Sequence, residues 1–353
     1  MREIAPSAAL ALFLLAPAVR AQPNTASPAP ELGTARAAAA EACAEGQRLL
    51  ANRTAADILA ARQRFERAIA TDANFALGFA GLAEARALLY DYPGAKEAAQ
   101  QALSLDDHQA AAHAVLGFVR LHNEWNWVGS ETEFRRALEL DPARAATHLW
   151  HGILLEATGR ADEAVAEARN AVKLAPDQAN VRAGLGFRLF WARRYDEAVK
   201  ELEAVLKMDP TYETAHYFIG RARIQQRKLD QAQAAYARAR ALSPKDANLL
   251  SAQGYLDARA GRRDAARKVI TQLERFAAGD LPFASQIAAI HTALGEKEPA
   301  LEWLQRSFLA HEGALTWIKI DPRFDPLRGE PRFKEIVRRM GLEVPGGTGS
   351  ESR

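Results

Sequence analysis

Four prolines, Pro142, Pro176, Pro210 and Pro244, stand 34 residues apart, and this spacing constrains the fold more than any other feature of the chain. Other columns keep the same step. Small residues recur as Gly117, Gly152, Gly186, Gly220 and Gly254, with one step of 35, and again as Ser130, Ala164, Ala198, Ala232 and Ala266. A further column runs Ala102, Ala137, Ala171, Val205, Ala239 and Leu273. Alanine-rich composition alone does not hold several columns in phase. A period of this length means one supersecondary unit repeated along the chain, each unit burying its apolar face against its neighbours.

Each unit reads as two helices. Ala198, Val199, Leu202, Val205 and Leu206 recur at three and four residues, the spacing of one helical face. Gly159-Arg160, Arg193-Arg194, Arg227-Lys228 and Gly261-Arg262 mark the turn between helices. Proline then ends the second helix. A glycine or alanine where two helices cross lets their backbones approach.

The pattern resembles the tetratricopeptide repeat family, whose unit has this length. With position 1 at Ala179, one unit reads ANVRAGLGFRLFWARRYDEAVKELEAVLKMDPTY, with Leu185-Gly186, Tyr195, Ala198, Val205 and Pro210 at the family's characteristic sites. Units fall at about 42–75, 76–109, 110–144, 145–178, 179–212, 213–246, 247–280 and 281–314, the first and last degenerate. Residues 64–90, the pair Trp125 and Trp127, and DPRFDPLRGEPRFKEIVRRMGL at 321–342 look like the repeat tails of bacterial winged-helix regulators and adenylate cyclases. Because the residues before 40 read as an export signal and spacer, a DNA-binding or cyclase domain is not expected beside them. The resemblance implies an all-α, right-handed superhelical solenoid of about eight helix–turn–helix units over 40–314, followed by a C-terminal cap over 315–343.

In this family the first helices line a concave face, and positions 2, 5, 9, 12 and 13 meet ligands. The resemblance therefore makes Phe118, His122, Phe187, Phe190, Trp191, Tyr217, Arg221, Tyr255 and Arg259 the candidate partner-binding residues. They are aromatic and apolar, with arginine at one end, the residue types that dominate binding hot spots. The alternative for Phe187 or Trp191 is packing between adjacent first helices. The lysines and asparagines of a carboxylate clamp are replaced by Leu149, Ile153, Ala183 and Phe187. An apolar or aromatic segment of another protein is the expected partner.

Charge and cysteine content narrow the classes further. With 46 basic and 44 acidic residues the formal charge is +2, which gives no reason to expect nucleic acid. The single cysteine, Cys43, excludes an intrachain disulfide and leaves an intermolecular one open. Ile4–Leu15 is an apolar run, too short to span a bilayer, and Val19-Arg20-Ala21 ends it with a small residue. Residues 1–21 are expected to be a secretory signal peptide cut after Ala21, residues 22–38 a flexible linker and residues 344–353 a disordered tail. The expected location is the periplasm or the exterior, with no integral membrane segment after cleavage.

Chemistry is weakly supported. His148 and His151 could share a metal, but His113, His148 and His216 recur at one repeat position, so packing is the better reading. Trp125 and Trp127 read as caps of the turn that carries the extra residue, with a ligand platform as the alternative. Asp196-Glu197 and Asp162-Glu163 open helices, where negative charge suits the dipole. No nucleophile elbow, zinc-binding helix motif or phosphate loop stands in the chain. The expectation is a non-catalytic, protein- or peptide-binding scaffold without cofactor or metal. The alternative is a detached periplasmic sensory domain that binds a small ligand or peptide and signals through a partner.

Overall fold

A computed structural model describes residues 32–277 and 283–342. The expected signal peptide and tail lie outside the described residues, as does the linker up to residue 31. The described chain is helical, with no strand. Its pairs are α1 (Leu32–Asn52) with α2 (Ala55–Thr71), α3 (Ala76–Leu88) with α4 (Tyr92–Leu105), and α5 (Ala110–His122) with α6 (Trp127–Leu140). Next come α7 (Ala145–Thr158) with α8 (Ala161–Leu174), α9 (Ala179–Trp191) with α10 (Tyr195–Met208), and α11 (Glu213–Gln225) with α12 (Leu229–Leu242). The last pairs are α13 (Ala247–Arg259) with α14 (Arg263–Ala277) and α15 (Ala284–Leu294) with α16 (Lys297–Leu309). Two 3-10 turns, Gly313–Trp317 and Pro322–Leu327, lead to α17 (Pro331–Arg339).

The first helix begins at Leu32, inside the stretch expected to be linker. First helices from α7 to α13 open at Ala145, Ala179, Glu213 and Ala247, on the 34-residue step. The extra residue of the 35-residue step sits in the turn before α6, beside Trp125. The eighth pair opens at Ala284 instead of 281, so the period slips there.

Two compact units divide the described residues: 32–119 with 129–143, and 120–128 with 144–342. In the first, α1 packs on α2 and α3, and α3 on α4. In the second, each helix from α7 to α16 packs on the next, and first helices also touch one another.

The columns have the causes read from them. Ala164, Ala198, Ala232 and Ala266 have no exposed surface, and α10 buries Ala198, Val199, Leu202 and Val205 as one stripe. A Cβ built on Gly186 would lie 2.7 Å from Leu202, and one on Gly220 would lie 2.3 Å from Tyr236. At those crossings the second helix occupies the space a side chain would need. Pro176, Pro210 and Pro244 each follow the end of a second helix by two residues. The turns repeat a left-handed residue: φ is 62° at Arg193 and 60° at Arg227, where neighbouring units have Gly159 and Gly261.

The C-terminal cap is more than one helix. Phe333, Ile336, Val337 and Met340, the apolar face read for it, are buried. They share one core with Leu315, Ile318, Phe324 and Leu327 from the 3-10 segment and with residues of α11 to α16.

Candidate functional site: the inner face of the second unit

The first helices of the second unit present their inner face to the chain's own residues 313–328. Trp317 stacks on Trp191, with ring centroids 5.7 Å apart and planes 5° from parallel. Its indole Nε1 donates to Glu156 Oε1 at 2.6 Å. Lys319 Nζ donates to the Thr158 carbonyl at 2.9 Å, at the open C-terminal end of α7.

Ion pairs centred on three carboxylates, Glu156, Asp321 and Asp325, sit along this contact. Glu156 and Arg188, 1% and 6% exposed at their side chains, are joined through Nε at 2.6 Å and Nη2 at 3.3 Å. Burial pushes the Glu156 carboxyl up to about 7, against the pull of Arg188 and Trp317. His122 lies beside them, its ring 5.9 Å from that of Trp317. Burial, with Arg188 close by, pushes the imidazole down to about 4, so it is neutral at pH 7.

One repeat further on, Asp321 takes Arg323 Nη2 at 2.6 Å and Nε at 2.9 Å, but Arg221 Nη2 only at 3.4 Å. Despite burial, Arg323 and then Arg221 hold Asp321 below the usual carboxylate range. Arg221 also lies 4.7 Å from the ring centroids of both Phe190 and Trp191. At the edge, Arg193 makes a two-bond fork to Asp325, at 2.6 and 2.7 Å. The left-handed turn at Arg193 sets that side chain beside the segment.

The expected binding residues divide. His122, Phe190, Trp191, Tyr217 and Arg221 gather around residues 317–323. Trp191 is 6% exposed and Phe190 is fully buried, so Phe190 is a core residue beneath the face. Phe187 packs on Phe218, centroids 4.3 Å apart, between two first helices; its packing alternative is the arrangement present. Tyr217 and Tyr255 line a cavity of about 10 Å³ with Arg221, Tyr236 and Arg323, room for about one water molecule. Arg259 is exposed and reaches only the Tyr255 hydroxyl, at 3.3 Å. Phe118 belongs to the first unit, where it is buried against Tyr92.

The tryptophan pair is not a turn cap alone. Trp125 stacks on His311 and Phe308, and Trp127 Nε1 donates to the Met340 carbonyl at 2.5 Å, so both hold the C-terminal module. Sequence reasoning missed Glu156, Arg188, Arg193, Trp317, Asp321 and Asp325. Position rules drawn for a foreign ligand did not include a ligand supplied by the chain. The one available signal was the acid spacing in WIKIDPRFD, residues 317–325.

The histidines pair with carboxylates. His148 Nδ1 lies 2.5 Å from Glu167 Oε2, and His151 Nδ1 lies 3.4 Å from Oε1. Despite burial, the two imidazoles, with His148 at hydrogen-bond distance, hold the Glu167 carboxyl down to about 2. One unit earlier His113 makes the same contact with Glu133, at 2.6 Å. The first unit also carries an open groove of about 480 Å³ floored by Ile69, Phe79 and Leu82.

Residues 129–179 and 189–256 each match a family model described as tetratricopeptide repeat. No curated protein matches the sequence. Among solved structures, the human IFIT1 dimer with PPP-AAAA is 17% identical, with 77% of this chain and 72% of that one covered and a TM-score of 0.55. The Cut9–Hcn1 assembly of APC/C is 18% identical over 65% of this chain and 42% of that one, with a TM-score of 0.51. PilF of Pseudomonas aeruginosa is 22% identical over 57% and 91%, with a TM-score of 0.46. For the first two, at these identities, the likeness concerns the fold.

Proposed function

The chain is a tetratricopeptide-repeat protein, and on that premise we propose that it is an exported scaffold that holds an apolar or aromatic segment along its first helices. It performs no chemistry of its own in this reading. One observation carries the proposal: the inner face of the second unit already receives such a segment, with Trp317 laid on Trp191 and held by Glu156. A face that orders one extended segment by stacking and buried hydrogen bonds has the chemistry to order another. Export rests on the apolar run before Ala21. Among the described residues no helix is long and apolar enough to cross a membrane.

The sensory alternative finds no room beside Arg221, where the cavity holds about 10 Å³ against the roughly 300 Å³ or more of a metabolite site, so that reading falls to the open groove of the first unit, about 480 Å³.

The test is crosslinking in the native cell envelope followed by mass spectrometry, with wild-type protein and Trp191→Ala. Phe190 is left in place because its removal would open the core. Partners lost in Trp191→Ala at unchanged helical content support the reading. The same partners at the same yield overturn it.

A further inference from the structure

We infer that the inner face of the second unit recognises a segment with an aromatic residue followed by acids four and eight positions later, and that residues 313–328 are its resident, imperfect ligand. The inference rests on the proposed scaffold function and specifies its partner.

A guanidinium buried as deeply as Arg221, 8% exposed, requires an anion. Arg188 finds one within the repeats, Glu156. Arg221 does not: among the described residues its carboxylate is Asp321, carried by the resident segment. Arg193 likewise finds its carboxylate in the segment, at Asp325. The repeats therefore offer an aromatic slab, Trp191, a buried cation whose counter-charge must come from the occupant, Arg221, and a half-exposed cation at the edge, Arg193. Trp317, Asp321 and Asp325 meet those three features in order, four residues apart.

The resident fits one of them poorly. Asp321 spends its short contacts on Arg323, two residues along its own segment, and leaves Arg221 at 3.4 to 3.5 Å. One buried carboxylate thus serves two guanidiniums, the buried one of Arg221 and the partly exposed one of Arg323. A segment with the same apolar positions but no arginine two residues past the acid gives Arg221 the whole carboxylate. It replaces the resident's burial like for like and improves the charge match. The resident's advantage is its tether, which sets an effective concentration in the millimolar range.

The probe is a fluorescein-labelled peptide of residues 313–328 carrying Arg323→Gln, offered to the full chain and read by anisotropy. The receiving chain carries Trp317→Ala and Asp321→Asn, which weaken the resident. Saturable binding is expected, at least tenfold tighter than that of the peptide with Arg323 retained. Adding Arg221→Gln to the chain, or Asp321→Asn to the peptide, is expected to remove that tenfold gain. Wild-type chain binds the probe more weakly than the opened chain. Asp325→Asn, which loosens only the half-exposed edge pair, is the second opened chain should the double variant lose its helical circular dichroism.

Absence of binding to a folded opened chain overturns the inference. So does equal affinity for peptides with and without the Asp321 carboxylate. If partner crosslinks still depend on Trp191 in that case, the scaffold reading stands and only the motif falls.

Discussion

Removing either partner of the Glu156–Arg188 pair should destabilise the second unit, but by different amounts and with different pH dependence. The side chains are 1% and 6% exposed, so whichever charge remains has almost no water to turn to. Breaking a buried pair by removing one partner costs about 3–5 kcal/mol. Glu156→Gln leaves the Arg188 guanidinium buried, and a guanidinium does not shed its proton. Because the wild-type carboxyl, raised to about 7, itself gives up stability as pH rises toward that value, the cost of this variant should be greatest at pH 5 and smaller at pH 8. Arg188→Met leaves a carboxyl that burial already pushes up to about 7 and removes the cation that opposes the push. Its folded-state pKa then lies further above the unfolded value. The penalty is therefore present above the folded pKa and relieved as pH falls through it, where the carboxyl takes a proton. At pH 5 Arg188→Met should cost clearly less than Glu156→Gln; at pH 8 the two should approach each other. The double variant should be less damaged than the sum of the singles, because no buried charge is left. Urea unfolding followed by circular dichroism at each pH measures all four proteins. Equal, pH-independent costs for the singles, or a double variant equal to their sum, would refute the buried-pair reasoning.

Three further outcomes are expected. Gly220→Ala places a Cβ 2.3 Å from the buried Tyr236 ring and should cost about 1–3 kcal/mol by thermal unfolding, less roughly 1 kcal/mol regained in helix propensity. Gly152→Ala meets the Arg188 Cδ at 3.2 Å and the Ala164 carbonyl oxygen at 3.4 Å, wider clearances, and should cost less, so equal losses would contradict the crossing geometry. His122, pushed from its usual 6.5 down to about 4, adds stability that is complete above pH 6.5 and lost as pH falls toward 4. The pH profile of His122→Gln should lack that loss, of about 3 kcal/mol, when the two proteins are unfolded in urea between pH 4 and 7. Burial pushes the Cys43 thiol up to about 11, so it should react with a thiol reagent far more slowly than unfolded chain at pH 8; equal rates would show an open site.

The sequence by itself determined the helix pairs. Proline and glycine columns fix where a helix ends and where two must touch, and both are local demands that a 34-residue period displays directly. Hence α7, α9, α11 and α13 open on the predicted step, Ala198 is fully buried, and α17 carries the apolar face read for it. Trp191 and Arg221 were legible as face residues because repeat position assigns them there. What covers that face was decided only by the tertiary structure. Trp317 lies 126 positions from Trp191, and Asp321 lies 100 from Arg221. Neither partner belongs to a repeat column, so periodicity carries no information about the pairing. The slip before α15 and the helical start at Leu32 were hidden for the same reason. A terminal unit has a neighbour on one side only, and packing beyond the period sets where it begins.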